Sequence, residues 1–462
     1  MRQLPAAAAL ALLPGAALAH ASERMVILTL PTGWYILGAA VAVALTGALA
    51  LLGRLPAFTA RQLWERRVIV PRPAVSWIAA LVWAALVVTG LLGSRDPMAN
   101  PLPLVVWTVM WVALTLACVI FGDLWRGIDP WTGPVRSARR LLGRTGSIGL
   151  VRLGYLPAVL FYLAFAWFEI VSLSPADPAV LARVVAGYWL LVFVLAVAEG
   201  EDWLERGEAF TVYFGFISKI APLWHETQGT TVRRFCGLPG AQVLRMAPLP
   251  PTAIAFVTLV LAGVTFDGLA ETFWWLALIG INPLEFPGRS AVTGVNTAGL
   301  LALWALTGAT ILAALALGLR LVRISQTGAP LARFGALAGP VLLSFLPIAA
   351  GYHVAHYFIA LLTQGQYVLA ALNDPLHRDW ALLGLPKHWV SFGFLSDAAS
   401  VHAIWAVQFV VILGAHVLAV VLSMRLSDAP PRLSGWSHLP VTVLMVLYTV
   451  LGLWLLSTPT GA

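Results

Sequence analysis

The first candidates for chemistry are ionisable side chains that lie within or beside long apolar stretches. His353 and His356 belong to a Tyr-His-Val-Ala-His-Tyr segment, and their i, i+3 spacing puts both rings on one face of a helix. His402 begins a later apolar stretch, Asp267 ends an earlier one, and Glu169 lies near the end of another. Because an ionised group is costly inside a membrane, each residue is a candidate for function.

Imidazole and carboxylate groups are ligands that zinc, copper, iron and manganese take in proteins. Three protein ligands and one open position lower the pKa of a bound water to about 7, which gives a nucleophile at neutral pH. We therefore predict a divalent transition metal, zinc or copper first, with His353, His356 and His402 as ligands. Asp267 or Glu169 would act as the base or orient a ligand histidine. The alternative is that the paired histidines only bond neighbouring helices.

The N-terminus has the features of an export signal. A basic start is followed by an apolar stretch over residues 4–18, and Ala17-Leu18-Ala19 is a small-x-small cleavage site. We predict a signal peptide over residues 1–19 and a single transmembrane domain over 20–462. Cleavage would expose His20, whose α-amine and ring nitrogen would chelate a metal of the copper type. The alternative is that cleavage merely precedes a histidine.

The composition defines the class of protein that must position these residues. Hydrophobic residues make up 60% of the chain and charged residues 10%, and the mean hydropathy is +0.87. Soluble domains carry roughly 25% charged residues, so this chain must place apolar surface in a lipid bilayer. The net charge of +8 could indicate nucleic acid, but the composition excludes a soluble nucleic-acid binder. We predict an all-α, polytopic transmembrane helical bundle.

Apolar runs of spanning length recur along the chain and predict about ten spanning helices. Their expected positions are about 32–52, 75–93, 102–121, 153–172, 181–199, 252–270, 295–320, 336–362, 401–424 and 438–457. Three further segments are expected outside these spans. Residues 208–223 are expected to form an interfacial or re-entrant helix, residues 271–294 a half-helix and loop, and residues 363–400 the longest outer loop.

Arginine and lysine collect in alternate loops. The loops after the first, third, fifth, seventh and ninth predicted spans are rich in these residues and the others are poor in them. The positive-inside rule then predicts a chain with both termini outside, in the bacterial cytoplasmic (inner) membrane. The export signal predicts the same orientation. The candidate site would lie near the outer face.

Two loop segments share an acidic-Trp-Arg-Gly pattern, residues 122–127 (GDLWRG) and residues 200–207 (GEDWLERG). A parallel structural repeat would explain the similarity. We favour a simpler interpretation, in which these acidic residues pair with nearby arginines at the membrane interface.

A set of motifs resembles a known family. They are residues 121–131 (FGDLWRGIDPW), 206–214 (RGEAFTVYF), 266–269 (FDGL), 353–358 (HVAHYF) and 364–366 (QGQ). From about residue 20 to 425 the chain is similar to bacterial integral membrane proteins called fenitrothion hydrolases, including a histidine after a signal that ends in Ala-Leu-Ala. The resemblance implies cleavage of an aryl phosphorothioate triester with release of a nitrophenol. It implies no catalytic residues.

Three hypotheses of function stand at this point. The first is a metal-dependent hydrolase of organophosphate triesters that works near the outer face. The second is a copper or other metal-handling membrane protein without catalysis. The third is a transporter. It is the least favoured, because transporters use charges near the middle of the membrane, whereas the candidate ligands here are expected nearer one face. The expected partners are the bilayer and an apolar small molecule, with no nucleic acid. The sequence leaves open a small membrane accessory subunit.

Overall fold

The chain folds as an all-α transmembrane bundle in the computed structural model. The structure describes residues 32–51, 57–67, 71–285, 288–321, 330–386, 388–426 and 431–458. Among these residues, nine helical segments are long and apolar enough to cross a membrane, and one of them, Ala338–His356, is interrupted by a turn at residues 344–345. The predicted fold class is therefore confirmed.

The helices are α1 (Thr32–Leu51), α2 (Arg72–Leu92), α3 (Pro101–Phe121), α4 (Thr132–Leu141), α5 (Leu156–Ile170), α6 (Pro178–Glu199), α7 (Ala209–Ile217), α8 (Pro251–Ala270), α9 (Phe273–Leu278), α10 (Arg289–Leu321), α11 (Pro330–Leu343), α12 (Leu346–His356), α13 (Phe358–Asn373), α14 (Ala398–Arg425) and α15 (Pro431–Ser457). Single helical turns lie at Trp125–Ile128 and Leu204–Gly207. The strands are β1 (Ala60–Arg67), β2 (Leu223–Gln228) and β3 (Thr231–Gly237).

Two predicted spans differ from the structure. The fourth is the 15-residue helix α5, which is shorter than the roughly 20 residues needed to cross the hydrocarbon core upright. The eighth, expected as one helix over 336–362, is divided into α11, α12 and α13. Helix α13 also continues to Asn373, so the long loop begins later than residue 363. The half-helix expected within 271–294 is present as α9.

Helices α8 and α12 form the centre of the bundle and are buried along most of their length. Helix α8 packs against α5, α10 and α12, and α12 packs closely against α14. The α12–α14 contact needs Gly351, since a Cβ atom there would lie 2.4 Å from the Cβ of Ala415. Small residues of this kind let helix backbones approach closely where lipid offers no hydrophobic driving force.

A three-stranded antiparallel sheet of order β1-β3-β2 lies at one end of the bundle, which we call the sheet end. Strands β2 and β3 form a hairpin in which Trp224 pairs with Phe235, and their rings stack at 5.6 Å. The sequence analysis placed these segments in loops. Strand β1 is far from β3 in the chain, and its pairing comes from tertiary contacts rather than from an apolar alternation.

Ion pairs join the short turns at the sheet end. Arg126 pairs with Glu205, so the two similar acidic-Trp-Arg-Gly motifs contact each other directly. Arg72 pairs with Asp129 at 3.0 Å, and an arginine of α4 pairs with Glu201. These contacts confirm the interpretation for Glu201 and Glu205, whereas Asp123 of the first motif accepts a hydrogen bond from the main-chain N–H of Arg126.

Helix α7 is buried in the bundle rather than lying along a surface. Its N-cap residue Glu208 accepts hydrogen bonds from the main-chain N–H groups of Phe210 and Thr211 at 2.9 and 2.6 Å. The carboxylate is also favoured by the positive end of the helix dipole. A short, buried helix of this kind fits the re-entrant form of the prediction better than the interfacial form.

Candidate functional site

Three helix ends bring ionisable groups together at the end of α8 opposite the sheet. Helix α8 has 20 residues, so its two ends lie about 30 Å apart. Glu169 lies in the last turn of α5, Asp267 in the last turn of α8, and His356 is the last residue of α12. The helical path breaks at the next residue, Tyr357, before α13 begins.

Tyr357 is the centre of this arrangement, which we call the carboxylate cluster (Glu169, Asp267, His356 and Tyr357). The phenol oxygen of Tyr357 lies 3.0 Å from Glu169 Oε1 and 2.7 Å from Asp267 Oδ2. The same Asp267 oxygen lies 2.9 Å from Nε2 of His356. Asp267 and His356 are only 13% and 17% exposed, so water screens these interactions weakly.

Hydrogen-bond counting constrains the protons in the cluster. A phenol has one hydrogen and can donate it to one carboxylate at a time. The other contact is a hydrogen bond only when that carboxyl group carries a proton of its own. The geometry is therefore suited to sharing a proton between Glu169 and Asp267 through Tyr357. Paired carboxyl groups that share a proton serve as acid and base in other enzymes.

Gly268 explains how α8 and α12 approach closely enough to form the cluster. A Cβ atom at Gly268 would lie 2.3 Å from the hydroxyl oxygen of Tyr352 and 3.7 Å from Cε1 of His356. A larger residue would first displace the Tyr352 hydroxyl group, which packs against Gly268 beside the His356 ring. This is a physical reason for the Phe-Asp-Gly order at residues 266–268.

His353 lies beside the cluster but bonds elsewhere. Its Nε2 atom lies 2.9 Å from the main-chain oxygen of Trp111, and its ring packs edge-on against the Trp111 ring. The rings of His353 and His356 both contact the Tyr357 ring, with centroids 4.8 and 4.7 Å away. The i, i+3 spacing thus brings both rings to one residue, while their Nε2 atoms have different partners.

The Trp111 carbonyl belongs to an unusual part of α3. Residues Val105–Ala113 form a π-helix, in which the N–H of Leu114 bonds to the oxygen of Val109. Such stretches are rare and occur often at functional sites. Here the π-helix supplies Trp107, Thr108 and Trp111 to the site described below.

His402 and His20 are not brought into the cluster by the described structure. His402 is exposed in the first turns of α14, and its Nδ1 atom lies 2.7 Å from the oxygen of Ala398 in the same helix. His20 lies outside the described residues. Within the parts of the chain that the structure describes, no group of three or more His, Cys, Asp or Glu side chains could hold a metal ion.

A cavity of ≈ 70 Å³ opens next to the cluster. Glu169 and Tyr357 line it, together with residues of the π-helix, Gln364 and Arg289. A water molecule needs roughly 10–15 Å³ of such space, so several waters fit beside the Glu169 carboxyl group. The Arg289 guanidinium is fixed by the main-chain oxygens of Glu169 and Ser172, at 2.9 and 3.1 Å.

The sequence analysis missed Tyr357, Trp111 and Arg289. Tyr357 follows His356 directly, and a phenol beside two histidines in a long apolar run was the signal that could have identified it. Arg289 precedes an apolar run in a loop poor in arginine and lysine. Trp111 contributes a main-chain oxygen and a ring, and its sequence context gives no sign of this.

The fold and the site together define a polytopic helical membrane protein with a buried carboxylate–tyrosine–histidine cluster near one end of the bundle. Comparison with protein-family models, curated proteins and solved structures gives no match. The function must therefore be argued from the geometry of the cluster and the cavities beside it.

Proposed function

We propose that this chain is a membrane-embedded hydrolase of neutral, apolar organophosphate triesters, including phosphorothioates. One observation carries the proposal: Glu169 and Tyr357, a base and a hydrogen-bond donor, line a common cavity that has room for water. The resemblance of the sequence motifs to fenitrothion hydrolases supports the same substrate class. Neutral triesters concentrate in the bilayer, where this cluster would meet them.

The reaction follows from the positions of the four side chains. Glu169 accepts a proton from water as the water oxygen forms a bond to phosphorus. The bond from phosphorus to the aryloxy oxygen breaks, and its electron pair leaves with the aryl oxide. The Tyr357 hydroxyl keeps its proton and turns its hydrogen bond from the carboxylate to the phosphoryl oxygen or sulfur, where negative charge develops. Asp267 and His356 are positioning residues that hold Tyr357 in place.

Arg289 gives the cavity a positive charge that suits the products. The substrate is neutral. Once water has given one proton to Glu169 and the aryl oxide has left, the phosphorus-bound hydroxyl group gives its remaining proton to solvent water, so the products are a phosphodiester anion and an aryl oxide. A guanidinium fixed beside Glu169 would stabilise this developing charge in a region of low dielectric. The attraction between the Arg289 guanidinium and the reacting group is stronger in the transition state than in the neutral substrate, which is the condition for catalysis.

The test is release of nitrophenolate from diethyl 4-nitrophenyl phosphate by the purified protein in liposomes. Glu169→Gln should lower the turnover by about 10²–10⁴-fold, the usual contribution of a general base. Glu285→Gln is the matched control, since Glu285 is exposed in the loop between α9 and Arg289. No turnover by the unmodified protein, or full turnover by Glu169→Gln, would contradict the proposal.

We also propose that the carboxylate cluster faces the periplasm or exterior and that the membrane is the bacterial inner membrane. The arginine-rich loops favour this orientation, since the ion-paired arginines at 72, 126 and 136 lie at the sheet end. A membrane-impermeant thiol reagent applied to intact cells should modify Glu285→Cys and spare Cys236 of strand β3. The opposite pattern would reverse the orientation.

Metal binding is a second candidate function, either as an aid to hydrolysis or as metal handling without catalysis. The favouring observation is the donor pair formed by Asp267 Oδ2 and His356 Nε2, which lie 2.9 Å apart. Two ligands of one tetrahedral zinc lie roughly 3.4 Å apart, given metal–ligand distances near 2.1 Å. Tyr357 supplies a further oxygen 2.7 Å from Asp267. Zinc, copper, iron and manganese all accept such donors.

Elemental analysis of the purified protein tests the metal proposal. About one zinc, copper, iron or manganese per chain, lost in His356→Ala and retained in His402→Ala, would support it. His402 is the matched control because it is an exposed histidine bonded only to its own helix in the described contacts. No metal in the unmodified protein would overturn the metal proposal and leave the acid–base mechanism in place.

A further inference from the structure

A second cavity lies between α5 and α6 and has no part in the cluster itself. Helix α5 packs against α7 and α8, whereas α6 packs against α2 and α4, so the two helices are held by different neighbours. The space between them, which we call the aromatic crevice, measures ≈ 160 Å³. Its walls are almost entirely apolar, with the largest surfaces from Trp107, Phe165, Phe168, Tyr188, Trp189 and Phe210.

The walls of the aromatic crevice are fixed in position. The indole N–H of Trp131 donates to the main-chain oxygen of Trp189 at 3.0 Å, and that of Trp189 donates to the oxygen of Pro130 at 3.2 Å. The indole N–H of Trp107 donates to the oxygen of Pro175 at 3.2 Å. Because these polar atoms are satisfied by the backbone, the rings are held still and offer their apolar faces to the crevice.

The size and shape of the crevice suit one flat aromatic ring. An apolar cavity of about 150 Å³ in another protein stays dry and binds benzene. The Trp107 ring stacks on Phe165 at 5.7 Å and on Phe168 at 6.2 Å, with interplanar angles of 30° and 21°. A planar ligand can extend this set of nearly parallel rings, whereas a flexible acyl chain gains less from it.

The crevice opens toward the lipid. Ala164 of α5 and Val184 of α6 line it and are exposed on the outside of the bundle. A ligand dissolved in the bilayer can therefore reach the crevice without passing through water.

The other side of the crevice leads to the candidate site. Trp107 and Phe168 line the crevice, and Trp107 also lines the cavity of Glu169 and Tyr357. Glu169 follows Phe168 directly in α5. Trp107 is thus part of the wall of both cavities.

We infer that the aromatic crevice binds the aryl group of a neutral, apolar ligand taken from the bilayer, with Trp107 as the wall next to the carboxylate cluster. The assignment of that ligand as an aryl triester rests on the proposed function. The binding of an aryl group stands on the crevice alone.

Photolabelling tests the inference. The probe is the neutral compound 3-trifluoromethyl-3-phenyldiazirine, added to the full-length protein in liposomes and mapped by mass spectrometry. We expect saturable labelling of residues 161–168 and 184–189. Triphenyl phosphate should compete for it, whereas tributyl phosphate, a triester without aryl groups, should not. Equal competition by both triesters would show that the crevice binds flexible alkyl chains as well as aryl rings, and would overturn the inference. Labelling that does not saturate would also overturn it.

Variants at the mouth of the crevice complete the test. Ala164→Trp should lower the saturable labelling at least tenfold, and Ala164→Leu should lower it less, in case the larger residue impairs folding. Ala186→Trp is the matched control, because Ala186 is exposed on α6 and does not line the crevice. Unchanged labelling in both Ala164 variants would overturn the inference. Labelling requires no turnover, so binding without hydrolysis would contradict only the proposed function.

Discussion

Two aspartates, the buried Asp129 at the sheet end and the half-buried Asp267 in the carboxylate cluster, have different surroundings. Asp129 is 1% exposed and accepts hydrogen bonds from the main-chain N–H groups of Trp131 and Thr132, from the Thr132 hydroxyl and from Arg72. Asp267 shares one oxygen between Tyr357 and His356, and Tyr357 in turn contacts a second carboxyl group.

The difference separates a structural carboxylate from a candidate catalytic one. Four fixed donors, one of them a guanidinium, hold the Asp129 side chain in place and organise the start of α4. The cluster instead joins two carboxyl groups through one phenol, so its protons can move when a ligand or water enters the adjacent cavity. The donors around Asp129 tie it into the fold, whereas the shared oxygen of Asp267 makes the cluster the candidate for chemistry.

The largest expected effect concerns stability. Asp129→Ala should lower the free energy of unfolding by about 3–5 kcal/mol, because it leaves buried donors and the Arg72 guanidinium without their partner. Asp267→Asn should change it by less than about 1 kcal/mol, since asparagine keeps an acceptor oxygen and removes one of two neighbouring carboxyl groups. Thermal unfolding in detergent measures both. Similar losses of stability would remove the distinction between the two aspartates.

Turnover should show the opposite sensitivity: changes in the carboxylate cluster should lower it more than changes at the sheet end. Asp267→Asn and Tyr357→Phe should each lower hydrolysis of the nitrophenyl triester about 10–100-fold, which corresponds to roughly 1.4–2.7 kcal/mol of transition-state stabilisation. The reason is that both changes remove part of the network that places a hydrogen-bond donor in the cavity. Glu205→Gln, which removes a sheet-end ion pair, is the control and should retain turnover. Loss of turnover in that control would argue for a general effect on folding.

Infrared spectroscopy can detect the shared proton directly. A protonated carboxyl group absorbs well away from a carboxylate, and we expect one such band from the cluster at neutral pH. Glu169→Gln or Asp267→Asn should remove or shift it, and Tyr357→Phe should shift it by removing the shared hydrogen-bond partner. Asp129→Asn should leave it unchanged. A spectrum that is the same for the unmodified protein and all cluster variants would mean that both carboxyl groups are ionised.

The sequence predicted the spanning helices well because apolar length and charged loops are local properties of the chain. It also selected Glu169, Asp267 and His356 as candidates, since an ionisable residue near the end of an apolar run is conspicuous, and the structure brings these three together. It could not predict that Tyr357 joins them, because that contact depends on breaks in the eighth predicted span and on the close approach allowed by Gly268. The metal set of His353, His356, His402 and His20 stays a prediction.

The sheet was missed for a related reason. Strand β1 pairs with β3 across more than 160 residues of chain, and neither strand shows the apolar alternation of a half-buried strand. The crevice was equally invisible, because its aromatic residues lie in four or more segments that each resemble ordinary apolar or interfacial sequence. Both features are products of tertiary packing.

The smallest expected effect concerns Asp397, a carboxylate that is exposed, unlike Asp129 and Asp267. Asp397 caps α14 by accepting hydrogen bonds from the hydroxyl and main-chain N–H groups of Ser400, at 2.8 and 2.9 Å. These bonds, the hydroxyl first, lower the pKa of the Asp397 carboxyl group. A lowered pKa in the folded state means that the carboxylate stabilises the helix at pH 7. The contribution is lost as the pH falls below the ordinary aspartate value of about 3.9.

Hydrogen exchange at the start of α14 measures this contribution. Asp397→Asn should speed exchange of the Ser400 amide severalfold at pH 7, where the carboxylate is the better acceptor. At pH 3 the variant and the unmodified protein should differ less, because protonation weakens the native cap. Equal exchange at both pH values would show that the cap does not depend on charge. Asp397 would then resemble Asp129 only in having fixed donors, and burial rather than donor number would decide which carboxylates stabilise this fold.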